Sequence, residues 1–191
     1  MREGRLGFVG HAREAFEFLA GLGFVETSST NTKVDWQGAR TGLAVFHGPQ
    51  SYIMGVEVHR LGEPGHPVTL VEALEVINPE HVRLGRYQTS DPALVRVGLN
   101  QLASVVRDDC GPWLAGDPQV WQRVQEFVRK QNAAYTLEAR FYAVRQRANR
   151  AWESKDYATA LSLYREMEEV LTEAEKRRVE YLARVLGDPD G

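Results

Sequence analysis

Four groups of side chains in this sequence have the chemistry of a functional site, and each can be judged by the spacing it would need. Gly4, Gly7 and Gly10 form a G-x-x-G-x-x-G run. A dinucleotide-binding turn requires G-x-G-x-x-G after a buried strand, so that the backbone can approach a pyrophosphate. The spacing here does not match it. No G-x-x-x-x-G-K-[ST] segment occurs either, which removes phosphate binding by a P-loop.

His11, His47, His59, His66 and His81 are scattered, with no H-x-H, H-E-x-x-H or H-x-x-x-H spacing. They are expected in turns and at strand ends rather than around a metal. Cys110 follows Asp108 and Asp109 at the end of a helical pattern. A nucleophilic thiol needs a helix N-terminus, a cation or an imidazole to lower its pKa, and two carboxylates act the other way. Adjacent residues on a helix diverge by about 100°, so Asp108 and Asp109 do not make an acid/base pair. No catalytic residue, cofactor or metal is assigned from these groups.

Arg140, Arg145, Arg147 and Arg150 run without an intervening acidic residue, beside Phe141, Tyr142 and Trp152. Phosphate contact is one reading. Pairing with Glu166, Glu168 and Glu169 on the next helix is the expected one, with Arg140 and Arg147 kept as candidate binding residues.

The elements that must position these groups begin with a helix expected from Ala12 to about Leu22, on the i, i+3, i+4, i+7 spacing of Ala12, Ala15, Phe16 and Leu19. The period then changes to two, with Val25, Val34, Trp36, Leu43, Val45, Met54, Val56 and Val58 alternating against polar or small neighbours. Turns at Thr30-Asn31, Gly38-Ala39 and Gly48 to Ser51 would place all eight on one face of a four-stranded antiparallel meander. That register pairs Val25 with Trp36, Trp36 with Thr41, and Val45 with Met54. On the opposite face Phe46 would lie across from Ile53, beside Ala44 and Gly55. A later helix is expected to cover this half, since the chain has several to place; uncovered, it would be an apolar patch of the kind that binds partners.

After the Gly62–Pro67 loop, Thr69 and Glu72 form a capping box. Residues 80–89 are ambiguous, with an extended conformation as one option. Asp91-Pro92 and Asp117-Pro118 are N-cap and N1 pairs that open two further helices. Residues 118–154 contain no Gly or internal Pro, so one long helix or two both fit. A second capping box, Thr172 with Glu175, precedes the last helix.

The segment from Ala148 to Tyr164 resembles one tetratricopeptide-repeat hairpin, with Ala148, Ala160 and Tyr164 at that family's small, alanine and aromatic positions. Val144, Ala151 and Thr172 depart from its Trp, Tyr and Pro. The resemblance implies an antiparallel helix pair with small residues at the crossing; a peptide-binding array needs about three repeats. The front of the chain is similar in its order of elements to small uncharacterised bacterial α+β families. The similarity rests on Phe16-x-Phe18-Leu19 before Gly23-Phe24, the hairpin carrying Val34 and Trp36, and Gly48-Pro49-Gln50-Ser51-Tyr52 before Val56-x-Val58. Several such families are immunity proteins that bind and block a toxin, and this implies a protein partner.

The bulk composition agrees with an ordinary globular chain: 191 residues, 43% hydrophobic, 26% charged, net charge −3. Such a charge gives no overall attraction to nucleic acid or anionic membrane. No signal-peptide or membrane-spanning run is read, and one cysteine permits no internal disulfide, so a cytoplasmic location is expected. The reading is an α+β domain over residues 1–133 and a helical extension over 134–191. Its function is read as non-catalytic protein binding, with toxin neutralisation as the sharpest version and Phe46, Ile53, Arg140 and Arg147 as binding residues. An enzyme with a site assembled from dispersed His, Asp and Arg, and an RNA-associated protein using the Arg-rich helix, are the alternatives.

Overall fold

The computed structural model describes residues 7–63 and 65–187; Gly4 of the glycine run and Pro64 of the loop lie outside them. The chain is α+β and divides into two compact units, Met1–Val128 and Arg129–Gly191, at a point inside a helix.

The first unit is an antiparallel sheet with helices on one face. Its strands β1 (Val25–Thr30), β2 (Lys33–Gln37), β3 (Thr41–His47) and β4 (Ile53–Arg60) follow one another as a meander. The far edge of β4 is shared by two short strands, β5 (Val68–Thr69) and β6 (Arg86–Gln88), so the sheet is six-stranded rather than four-stranded. Residues 79–84 form a 3-10 turn that delivers the chain to β6.

Val34, Trp36, Leu43, Val45, Met54, Val56 and Val58 are buried on a common inner face, as the alternation requires. Their pairings differ from the expected ones. Trp36 lies opposite Leu43, not Thr41, and Val45 opposite Val56, not Met54. The loops are Ala39-Arg40, closed by Gly38 N–H to Thr41 O, and Pro49–Tyr52, closed by Gly48 N–H to Ile53 O. Each ladder is displaced by two residues, and with a side-chain period of two the inward set is unchanged.

β1 shows the opposite case. The turn is Asn31-Thr32, not Thr30-Asn31, and a bulge falls between Glu26 and Ser28. An odd displacement reverses a strand, so Val25 pairs with Gln37 and is 68% exposed, contrary to the expected pairing with Trp36. Glu26 takes the position opposite Trp36, where the Arg13 guanidinium grips its carboxylate at 2.6 and 2.8 Å and reaches Ser29 at 3.2 Å. The edge strand is therefore tied down by polar bonds, with a bulge that blunts its free edge.

The single helix expected over 12–22 is two: α1 (Phe8–Ala15) and α2 (Phe18–Gly21). Phe16 leaves helical geometry at φ −100°, ψ 16°, and its ring stacks on Trp36 at 5.9 Å. Helix α3 (Leu70–Ile77) opens with the Thr69/Glu72 capping box, and α4 (Pro92–Asp109) with Asp91 accepting from Ala93 N–H. Gly98 lets α4 approach the sheet closely: a Cβ there would sit 2.4 Å from Met54 Cε and 2.5 Å from Tyr87 Cδ1. The short α5 (Gly111–Leu114) sets Trp113 against Trp121, whose indole N–H donates to Trp113 O at 2.8 Å.

Helix α6 is continuous from Pro118 to Glu153, which settles the choice between one helix and two. From Arg129 to Thr136 every residue is exposed. In the second unit its later turns join α7 (Tyr157–Glu166), a 3-10 turn (Glu168–Val170) and α8 (Glu173–Leu186) around a separate core. Ala148 and Ala160 are both fully buried there, and Tyr164 O–H donates to Asn149 Oδ1 at 2.9 Å. Among the described residues no helix is long and apolar enough to cross a membrane.

Candidate functional site

The outer face of the sheet is set by the same alternation that builds the core. Among the described residues of this unit, helices α1, α3 and α4 pack with the inner residues, and the expected helical cover of the outer face is not what forms. The loop after β4 borders it instead, leaving a shallow cleft of about 300 Å³ lined in part by Lys33, Asp35, Glu57, His59 and Glu63. Its charges are largely satisfied internally. Asp35 receives Lys33 Nζ at 2.8 Å and the Ser28 hydroxyl at 2.7 Å.

Beyond this cleft the face becomes apolar. Phe46 and Ile53 are both half-buried on it, but they are not opposite each other. Phe46 pairs with Gly55, and Ile53 with Gln88 of β6. The Phe46 ring occupies the space a side chain at 55 would need, with Cζ 2.8 Å from an ideal Cβ. The ladders thus set one row across four strands: Lys33, Phe46, Gly55, Arg86. An aromatic ring lies between two cationic side chains, with Ile53 and Gln88 in the adjoining row. Alternation with Val34 puts Lys33 on this face, whereas Arg86 was missed because 80–89 was ambiguous. The signal was the three-residue alternation Arg86-Tyr87-Gln88, with Tyr87 inward beside Met54.

Arg140 and Arg147 belong to the second unit, where both are exposed on α6. The expected pairing with Glu166, Glu168 and Glu169 is replaced by another arrangement. Arg145 is the arginine consumed internally: its Nε donates to Glu175 at 2.9 Å, and its terminal nitrogens bond Glu138 and the Val170 carbonyl. Arg140 lies over the Phe141 ring at 5.2 Å.

The histidines divide by environment. His47 is buried, stacked on Phe8 at 5.8 Å, with its Nε2 3.2 Å from Thr89 O. His81 Nδ1 lies 2.7 Å from Asp109 Oδ2, while Asn78 Nδ2 donates to Asp109 Oδ1 at 3.0 Å. The His81 hydrogen bond leads in holding the Asp109 carboxyl below its ordinary range, against the opposing effect of burial. This group borders a cleft of about 290 Å³ with Ser104 and Asp108. Nothing in the spacing pointed to it, since 28 residues separate the two partners. Cys110 is buried, and burial first, then Asp109, pushes its thiol up to about 12, which makes it a poor nucleophile. Among the described residues no group of His, Cys, Asp and Glu could hold a metal ion.

No family model matches the chain, and comparison with curated proteins and with solved structures finds no match.

Proposed function

We propose that this chain is a non-catalytic binding module that docks a protein partner on the outer face of its sheet. The observation that carries the reading is the cross-strand row Lys33, Phe46, Gly55, Arg86, adjoined by Ile53. With Lys33 already held by Asp35, the aromatic anchor and the Arg86 guanidinium fit a partner that presents an apolar side chain beside a carboxylate. The apolar contact supplies affinity, while the charges favour the correct encounter. Neutralisation of a toxin is the sharper form of this reading and follows from the resemblance in element order. The test is co-expression with the products of neighbouring genes. A complex that co-purifies, and that Phe46→Asp with Ile53→Asp abolishes at unchanged thermal unfolding, supports the proposal. If the double variant binds normally the face is not the site, and if it unfolds the residues serve the fold.

The enzyme alternative has one observation in its favour, the His81 imidazole held by Asp109 and Asn78 beside a cleft. A carboxylate-oriented imidazole is the arrangement of a general base. Turnover of a small substrate that is lost in His81→Asn would replace the binding reading.

A further inference from the structure

Charge on the outer face of the sheet is unevenly matched. Lys33 is held by Asp35, and Glu63, which borders the same cleft, is held by Arg60 at 2.5 Å. Two charges of opposite sign are left. Arg86 is exposed and Glu57 half-buried, and neither has a hydrogen-bond or ion-pair partner among the described residues. Val56 and Val58 point into the core, so Glu57 between them points outward, with Ala44 opposite it on β3 and Thr69 on β5. Thr69 is committed to its capping box with Glu72, and the His59 ring lies over Gly42. The Glu57 carboxylate therefore has a methyl group on one side and an occupied hydroxyl on the other.

The ladders fix where the two charges stand. Arg86 pairs with Gly55, and Glu57 follows Gly55 by two residues on β4. With about 4.8 Å between strands and about 6.8 Å per two residues, their Cα atoms lie about 8 Å apart on a diagonal. The Phe46 ring, packed over Gly55, occupies the corner between them. A partner seated on that ring takes both charges out of water. Desolvating a charge without a counter-charge opposes binding, so a partner that covers this corner has to supply one of each sign.

We propose that the protein surface docked here is bipolar, with a carboxylate on Arg86, an ammonium or guanidinium on Glu57, and an apolar side chain between them on Phe46 and Ile53. The inference rests on the docking of a protein partner proposed above and adds the order of its charges. A separation of about 8 Å is close to that of side chains two apart on a strand or four apart on a helix, so one short segment of the partner can carry both. Arginine grips a carboxylate through its planar fork of donors, which fixes the orientation of that segment as well as its charge.

The experiment pans a phage library of random dodecapeptides on the immobilised full chain and titrates the strongest peptide, made synthetically, by calorimetry. Enriched peptides are expected to carry an apolar residue together with one acidic and one basic residue within about four positions of each other. Arg86→Gln and Glu57→Gln should each weaken binding about tenfold, the size of one well-placed ion pair. Neutralising the peptide's carboxylate should add nothing to Arg86→Gln, and neutralising its cation nothing to Glu57→Gln, as a double-mutant cycle requires of paired groups. The peptide-side changes leave the chain untouched, so the test holds whatever the variants do to the fold. Peptides that need Phe46 and Ile53 but ignore both neutralised positions overturn the charge order and leave the docking face standing. Peptides that answer to Arg86 and not to Glu57 show a face selective for anions and overturn the bipolar assignment. Peptides that ignore Phe46 and Ile53, or the absence of any enrichment, overturn the docking face and this inference together.

Discussion

Phe46 lies across the β3–β4 ladder from Gly55, and its ring fills the volume that any side chain at 55 would take. Two substitutions should therefore interact. Gly55→Ala in the native background forces the ring outward and should destabilise by about 1 kcal/mol or more. In a Phe46→Ala background the same change should be neutral or stabilising by about 0.5–1 kcal/mol, because alanine loses less backbone entropy than glycine in a strand. Urea unfolding of the four proteins measures the difference, and equal effects of Gly55→Ala in both backgrounds would refute the coupling.

Trp36 and Val25 were expected to be neighbours on one face, and the structure separates them. Trp36 is 7% exposed and stacked on Phe16, so Trp36→Ala should cost about 3–5 kcal/mol. Val25→Ala should stay within about 0.5 kcal/mol. Comparable losses for the two would mean that β1 pairs without its bulge.

Ala160 is completely enclosed in the second core, with Ala148 and Tyr164. Ala160→Leu should overpack it and cost about 1–3 kcal/mol, whereas Ala160→Gly should cost about 1 kcal/mol through helix propensity. Because the first unit has a core of its own, the loss is expected in a transition that leaves Trp36 and Trp113 fluorescence in place.

Glu175 and Arg145 make the second unit sensitive to acid. Burial raises the Glu175 carboxyl, but hydrogen bonds from Thr172 and the Arg145 guanidinium outweigh it and leave the pKa below the ordinary value of 4.5. A carboxyl lowered on folding contributes fully above its unfolded pKa and loses that contribution as pH falls through the folded one. The second unit should weaken progressively as pH drops below 4.5, and Glu175→Gln should flatten that dependence. Arg145→Ala should cost about 3 kcal/mol at neutral pH, since it strands a carboxylate that is nearly enclosed. A pH profile of Glu175→Gln that overlays the native one would count against this pairing.

How far each feature could be read from sequence depended on the range of its cause. The inward set of β2, β3 and β4 was legible because a period of two survives a displacement of two, even though every pairing was misjudged. Caps at Thr69, Asp91, Asp117 and Thr172 were legible because each is closed by a residue two or three positions on. Val25 was misread because a bulge in an edge strand is fixed by Arg13, a residue outside the strand pattern. β6 was legible only as one extended option for residues 80–89, because three residues carry little periodicity, and Arg86 of the candidate face was not picked out. The arginines were seen as a group, but which of them is consumed depended on Glu175, 30 residues beyond Arg145.

The run of α6 from Arg129 to Thr136, exposed on every side, has a consequence for how the chain can be taken apart. A helical segment held by its own hydrogen bonds alone is marginal in water at lengths under about 12 residues. Its amides should exchange with deuterium faster than those of residues 141–151, whose side chains meet the second core. Trypsin at low dose should cut after Arg129 and Lys130 before it cuts elsewhere in α6. The two fragments, each with its own hydrophobic centre, should then persist as folded pieces that can be purified and studied apart.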